Sequence, residues 1–242
     1  PLRILDYKIV RTIQSNGQEI WFGLLNGLDM VILDSVAIER PLKQEFNTDY
    51  FNTFSQYIVE SILVDDKNLW LGTKSGLFQV ENYESSPVIH QFKSADDPYS
   101  LGSNIVFCIK RDRKGRLWLG TYGGGLHQVV FDEDGVVKEF QRYTIKEGLP
   151  SNAVYRIEED NEDHLWLSTD DGISKFSPEK NIFENFNIGD GLSSTNYRKD
   201  SSVIAPNGKM VFGGLNGLTL FNPYNITKNP IAPRPKITSL SI

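Results

Sequence analysis

The chain has 242 residues, a formal charge of −6, 12% aromatic residues and 20 glycines. That length suits one large all-β domain or two smaller ones with a substantial core. The acidic balance, with no long basic run, excludes an electrostatic nucleic-acid binder. No apolar run approaches the roughly 18 residues that a membrane helix requires, so no membrane contact is expected of this segment. The one cysteine, Cys108, lies in the apolar run Ile105-Val106-Phe107-Cys108-Ile109 and reads as a buried small hydrophobe. The chain begins at Pro1 without a signal peptide and is read as a piece of something longer.

Taken in order, the chain repeats one pattern five times. Apolar strands are predicted at Ile9-Val10-Arg11-Thr12-Ile13, Ile58-Val59-Glu60-Ser61-Ile62, Ile105 to Ile109 and Val154-Tyr155-Arg156-Ile157. Polar turns follow, such as Ser15-Asn16-Gly17, Asp112-Arg113-Lys114-Gly115 and Asp160-Asn161-Glu162-Asp163. Next comes a strand built on tryptophan: Trp21, Trp70, Trp118 and Trp166, at intervals of 49, 48 and 48 residues. Val211 takes this slot in the last copy. A glycine turn then leads to a third strand, as in Gly76-Leu77-Phe78-Gln79-Val80, and fourth strands are predicted at Val88 to Phe92 and Val137 to Phe140.

Four short antiparallel strands in about 48 residues make one blade, and a fixed period of that length marks a repeat protein. The predicted fold is therefore an all-β β-propeller with five blade repeats in residues 1–222. No window keeps a helical period. Residues 36–56 are the least regular and read as an elaborated outer strand and loop. Residues 223–242 form a proline-rich exit, with Pro223, Pro230, Pro233 and Pro235, followed by an alternating strand from Ile237 to Ile242.

Leu-Trp-Leu-Gly-Thr, the Asp-rich turns and linkers such as Gly148-Leu149-Pro150-Ser151-Asn152 resemble the regulator-propeller repeats of two-component sensors. The resemblance is greatest to the periplasmic sensor region of hybrid two-component systems from polysaccharide-degrading Bacteroides-type bacteria. It implies seven blades per propeller, a following Ig-like β-sandwich that Ile237 to Ile242 would begin, and a histidine kinase elsewhere in the parent chain. It also implies a non-catalytic role in sensing an oligosaccharide or monosaccharide on the periplasmic side of the inner membrane. Other blades and the β-sandwich of the parent chain are the implied protein partners, with a homodimer as a further option.

No enzyme constellation stands out among the residues. His90, His127 and His164 lie in different repeats without metal spacing, and no cofactor or metal is expected. Gly123-Gly124-Gly125 lacks the Gly-Lys-Ser/Thr and the helix of a phosphate loop. Asp160 to Asp163 lacks an EF-hand's ligand spacing and reads as a solvated turn.

Blade geometry places the entry to the first strand and the second-to-third-strand turn on one face around the channel. Candidate ligand-binding residues there are Tyr122, Lys74, Asp170, Asn26, Asn216, Asn104 and Asn152, with Tyr57 and Asn196 beside them. Aromatic planes, planar amides and charges are what a sugar-binding face needs. The alternative for the asparagines is turn capping. Two other functional readings stand beside the sensor: a scaffold for dimerisation or protein interaction, and a propeller lyase or hydrolase with His and Glu converging at the channel.

Overall fold

The structure is a computed structural model that describes residues 8–17, 19–32 and 50–226. The first blade comprises β1 (Val10–Asn16), β2 (Glu19–Leu24) and β3 (Gly27–Ile32). A single helical turn, α1 (Phe51–Phe54), precedes the second, built from β4 (Val59–Asp65), β5 (Asn68–Thr73), β6 (Gly76–Glu81) and β7 (Val88–Phe92). The third contains β8 (Val106–Arg111), β9 (Leu117–Thr121), β10 (Leu126–Phe131) and β11 (Val137–Tyr143). The fourth contains β12 (Val154–Glu159), β13 (Leu165–Thr169), β14 (Gly172–Ser177) and β15 (Ile182–Phe186). The fifth has β16 (Tyr197–Ile204), β17 (Met210–Gly214) and β18 (Gly217–Phe221). Each blade is an antiparallel meander, with four strands in the middle three and three described strands in the first and last.

The expected propeller architecture is present. One detail differs from the sequence reading: residues 51–54 form a helical turn, because Phe54 buries its ring edge-on to Phe78 at 5.3 Å. The expectations for residues 36–49, and for the exit strand after Ile226, lie outside the described residues.

The cores lie between blades. Trp21 packs with Ile62, Leu69 and Phe78 of the second blade, and Trp70 with Leu117, Leu119 and Val129 of the third. Trp118 joins Ile157, Leu165 and Phe176 of the fourth, and Trp166 joins Tyr197, Met210 and Phe212 of the fifth. Each indole is essentially inaccessible. Burying roughly 200 Å² per indole at ~25 cal/mol per Å² stabilises by about 5 kcal/mol, an upper bound. Four tryptophans thus serve four interfaces, and the Val211 slot falls in the last blade.

The glycine two residues after tryptophan is explained by the same packing. A Cβ on Gly120 would lie 2.8 Å from the Val154 carbonyl oxygen of the next blade, and one on Gly72 would lie 2.9 Å from that of Val106. Only a bare backbone lets the following inner strand come this close. A different glycine opens the third strand: Gly76, Gly125 and Gly172 all have φ between 82° and 111°. A Cβ at these positions would also run into the carbonyl oxygens of Phe92, Tyr143 and Phe186.

Among the described residues, the terminal blades lack one neighbour each. Ile13 sits opposite Phe22, in the place that Ile62 and Ile157 hold in their own blades. Those two are buried against the preceding blade, whereas Ile13 is 61% exposed. On the fifth blade, Leu218 and Leu220 are 70% and 58% exposed.

Candidate functional site at the channel mouth

The five inner strands β1, β4, β8, β12 and β16 surround a cavity of about 690 Å³. Four of them share a defect in register. Pairing with the second strand skips Arg11 in β1, Glu60 in β4, Phe107 in β8 and Tyr155 in β12. In β16 the skipped stretch is longer, covering residues 198–201. A bulge leaves its extra residue unpaired and re-aims its side chain. Every bulge lies where the inner strand enters, at the same end as the second-to-third-strand turns. The mouth is therefore ringed by arginine, glutamate, phenylalanine, tyrosine and the 198–201 loop.

One arc of this ring is ionic. Glu60 is fully buried and accepts hydrogen bonds from Arg11 Nε at 3.2 Å and Nη2 at 3.0 Å. Lys199 of the fifth blade donates to the same carboxylate from across the channel. Lys74 Nζ stands 3.8 Å from it. Burial alone would raise the Glu60 carboxyl, but hydrogen bonds and charge from Arg11 and Lys199 prevail and hold it below its ordinary value.

The facing arc is aromatic. Phe107 and Tyr155 stack with ring centroids 5.5 Å apart and 25° between planes, and Tyr122 meets Phe107 at 5.8 Å. Tyr122 is 49% exposed. Burial, reinforced by the charge of Asp170, raises the Tyr155 phenol. Deeper in the channel, Arg156 pairs with Asp200 at 3.5 Å, and Lys110 approaches Glu158 at 4.0 Å.

The sequence-derived candidates divide accordingly. Lys74 joins the ionic arc, while Tyr122 and Asp170 join the aromatic one. Asn104 and Asn152 act as connectors: their Oδ1 atoms accept from Ser94 N at 2.7 Å and Ile145 N at 3.0 Å. The Asn152 carbonyl also accepts from both Gly123 and Gly125. These two thus take the capping role left open by the sequence. Tyr57 packs against Phe54 and Phe78, and the Asn196 carbonyl accepts from Leu215 N. Asn26 and Asn216 are exposed at turn tips.

Arg11, Glu60, Phe107, Tyr155 and Lys199 were missed by sequence reasoning. Their signal is positional, since all sit near the start of an inner strand. A bulge, however, is a one-residue slip that a period-2 reading does not register.

Asp160 corrects a sequence expectation: it is buried rather than a solvated turn residue. Its carboxylate accepts from Trp166 Nε1 at 2.8 Å and from the backbone of Glu162 and His164 at 2.9 and 3.0 Å. Asp112 does the same for Trp118 Nε1 at 2.8 Å and for Lys114 and Arg116 backbone at 3.0 and 2.8 Å. The aspartate six residues before tryptophan thus pins both hairpin and indole.

The histidines do not converge. His90 is on an outer strand near Glu81, and His164 is in a hairpin beside Asp160. His127 is fully buried and accepts from Gly102 N at 2.9 Å. Burial lowers its imidazole to about 3, so it is neutral. Burial likewise pushes the Cys108 thiol up to about 12, in keeping with a buried hydrophobe.

Residues 100–123 and 148–171 match the model of the two component regulator propeller. Each matched segment runs from an inner-strand entry loop through the tryptophan strand to its glycine turn. These two segments match regulator-propeller repeats. Among solved structures, the extracellular domain of the B. thetaiotaomicron hybrid two component system BT3049 is 22% identical, with a TM-score of 0.46. The alignment covers 90% of this chain and 39% of that one. The corresponding domain of BT4673 from the same organism is 18% identical with a TM-score of 0.39, over 93% of this chain and 36% of that one. The chain thus spans well under half of these two domains. A catalytically inactive virginiamycin B lyase from Staphylococcus aureus is 13% identical with a TM-score of 0.59, over 91% of this chain and 72% of that one. That likeness bears on the fold alone. No curated protein matches the sequence.

Proposed function

We propose that this regulator propeller is a non-catalytic part of an extracytoplasmic sensor, lying on the periplasmic side of the inner membrane. It binds a small glycan-derived ligand at the channel mouth and signals to a histidine kinase controlling polysaccharide use. The observation that carries this reading is the ring of inner-strand bulges, which aims charged and aromatic side chains at one opening. Binding there shifts signalling only if the ligand favours one arrangement of propeller and following module over another. Among the described residues no helix is long and apolar enough to cross a membrane. Calorimetry against a panel of oligosaccharides and monosaccharides tests the reading, with saturable heat expected for at least one sugar; no heat from any sugar would refute it.

In this reading the exposed faces at Ile13 and at Leu218 and Leu220 take further blades of the parent chain, completing a propeller of seven. The same apolar surface also favours a second reading, a dimerisation scaffold. Sedimentation at several concentrations separates the two: a concentration-dependent dimer supports the scaffold, and a strict monomer that binds sugar eliminates it.

A further inference from the structure

We propose that the channel mouth selects a ligand carrying both an anionic group and a flat apolar face, with the two held by opposite arcs of the bulge ring. This rests on the reading that the mouth binds a ligand, and it names that ligand's chemistry.

The ionic arc is overfilled with positive charge. Arg11, Lys74 and Lys199 approach Glu60, and Arg156 pairs with nearby Asp200, so four cations stand against two carboxylates. Glu60 is inaccessible, whereas its three cations remain partly open to solvent. The buried carboxylate holds their heads in place, and the excess charge faces the opening. This local excess stands out in a chain whose formal charge is −6. Fixed, partly desolvated cations of this kind favour a carboxylate or sulfate and make charge-assisted hydrogen bonds to it.

The aromatic arc has no anionic preference but offers a surface. Phe107 and Tyr155 lie nearly parallel, and half-exposed Tyr122 leans on Phe107. A flat face of C–H bonds or a ring gains dispersion and apolar burial there. The two arcs come from different blades: the first, second and fifth give the charges, and the third and fourth the rings. In this proposal a small ring acid bridges the two arcs. Arg11 of the ionic arc also lines the channel cavity of about 690 Å³, whose other walls are the inner-strand residues beyond the bulges.

Two sources share this chemistry: a sugar acid, whose pyranose ring presents a C–H face, and an aromatic carboxylate. Calorimetric titration of the chain with galacturonate, galactose, benzoate and acetate distinguishes them. Galacturonate is expected to bind at least about tenfold tighter than galactose, a ratio set by one charge-assisted contact. Acetate, which lacks the flat face, is expected to be weak. Benzoate binding more tightly than galacturonate would assign the site to aromatic acids. In Lys74→Gln the affinity for the acid should fall about tenfold and that for the neutral sugar should not change. Tyr122→Ala should weaken both alike. Lys74 and Tyr122 are both substantially exposed, so neither substitution threatens folding. Galactose binding as tightly as galacturonate would overturn the inference while leaving ligand sensing intact. Absence of binding by all four, with a neutral oligosaccharide binding instead, would also overturn it; absence of any sugar binding would remove both.

Discussion

Replacing Asp112 by alanine tests whether the hairpin carboxylate supports the inter-blade core. Its side chain is fully buried and accepts four hydrogen bonds, from Lys114 N, Arg116 N, Arg116 Nε at 2.6 Å and Trp118 Nε1. After truncation, Arg116 still reaches Glu179 at 2.9 Å and solvent, and the loop amides can turn toward water. The Trp118 indole cannot, because it is inaccessible. An orphaned buried donor costs about 1–3 kcal/mol, and the loop amides add about 1 kcal/mol, so about 3 kcal/mol is expected in total. For a chain of this size that lowers Tm by roughly 6–12 °C. Urea or thermal unfolding measures it, and Trp118→Phe completes a double-mutant cycle. The double variant should lose less than the sum, by about 1–2 kcal/mol, because phenylalanine leaves no orphan donor. A cost below about 1 kcal/mol, or strict additivity, would refute the reasoning.

The second blade supplies an internal control. Val64 stands six residues before Trp70, and the Trp70 indole nitrogen has no hydrogen-bond partner among the described residues. Trp70→Phe should therefore cost at least about 1 kcal/mol less than Trp118→Phe in the same unfolding assay. Gly125→Ala should destabilise by about 2 kcal/mol or more, since it combines positive φ with a backbone clash; near-neutral unfolding data would contradict that geometry. Glu60→Gln removes a carboxylate whose folded-state value is depressed, so the lost stability is fully present above the ordinary value of 4.5. The gap between Glu60→Gln and the natural chain should narrow as pH falls below 4.5 through the folded value, and a pH-independent gap would count against the network. Leu218→Ser with Leu220→Ser should leave stability within about 0.5 kcal/mol while reducing any self-association seen by sedimentation.

The blades were legible because their cause is local. One tryptophan per interface recurs in every repeat that contacts the next blade, and the glycine two residues later recurs in three of those four, with buried Ser168 in its place after Trp166. The absence of tryptophan at Val211 had the same meaning, although only the packing reveals it. Turn position alone led to Lys74, Tyr122 and Asp170, which do reach the mouth. The same logic led to Asn104 and Asn152, whose side chains instead tie one blade's entry to the previous blade's exit. The core of the site was not legible, because Arg11, Glu60, Phe107 and Tyr155 owe their orientation to bulges. Neighbouring strand residues of similar polarity point elsewhere. Lys199 reaches Glu60 across 139 positions of sequence, a pairing that only the arrangement of blades around the channel creates. Asp112 and Asp160 had a readable spacing to tryptophan, but their turn position masked it.

The most direct test of the central claim is an amide chemical-shift titration of the isotope-labelled chain with galacturonate. The expected result is saturable shifts concentrated at Arg11, Glu60, Lys74, Phe107, Tyr122, Tyr155 and residues 198–201, on all five blades at one end of the channel. Shifts confined to outer strands such as β7 and β11, or to the opposite hairpins around Asp112 and Asp160, would contradict it.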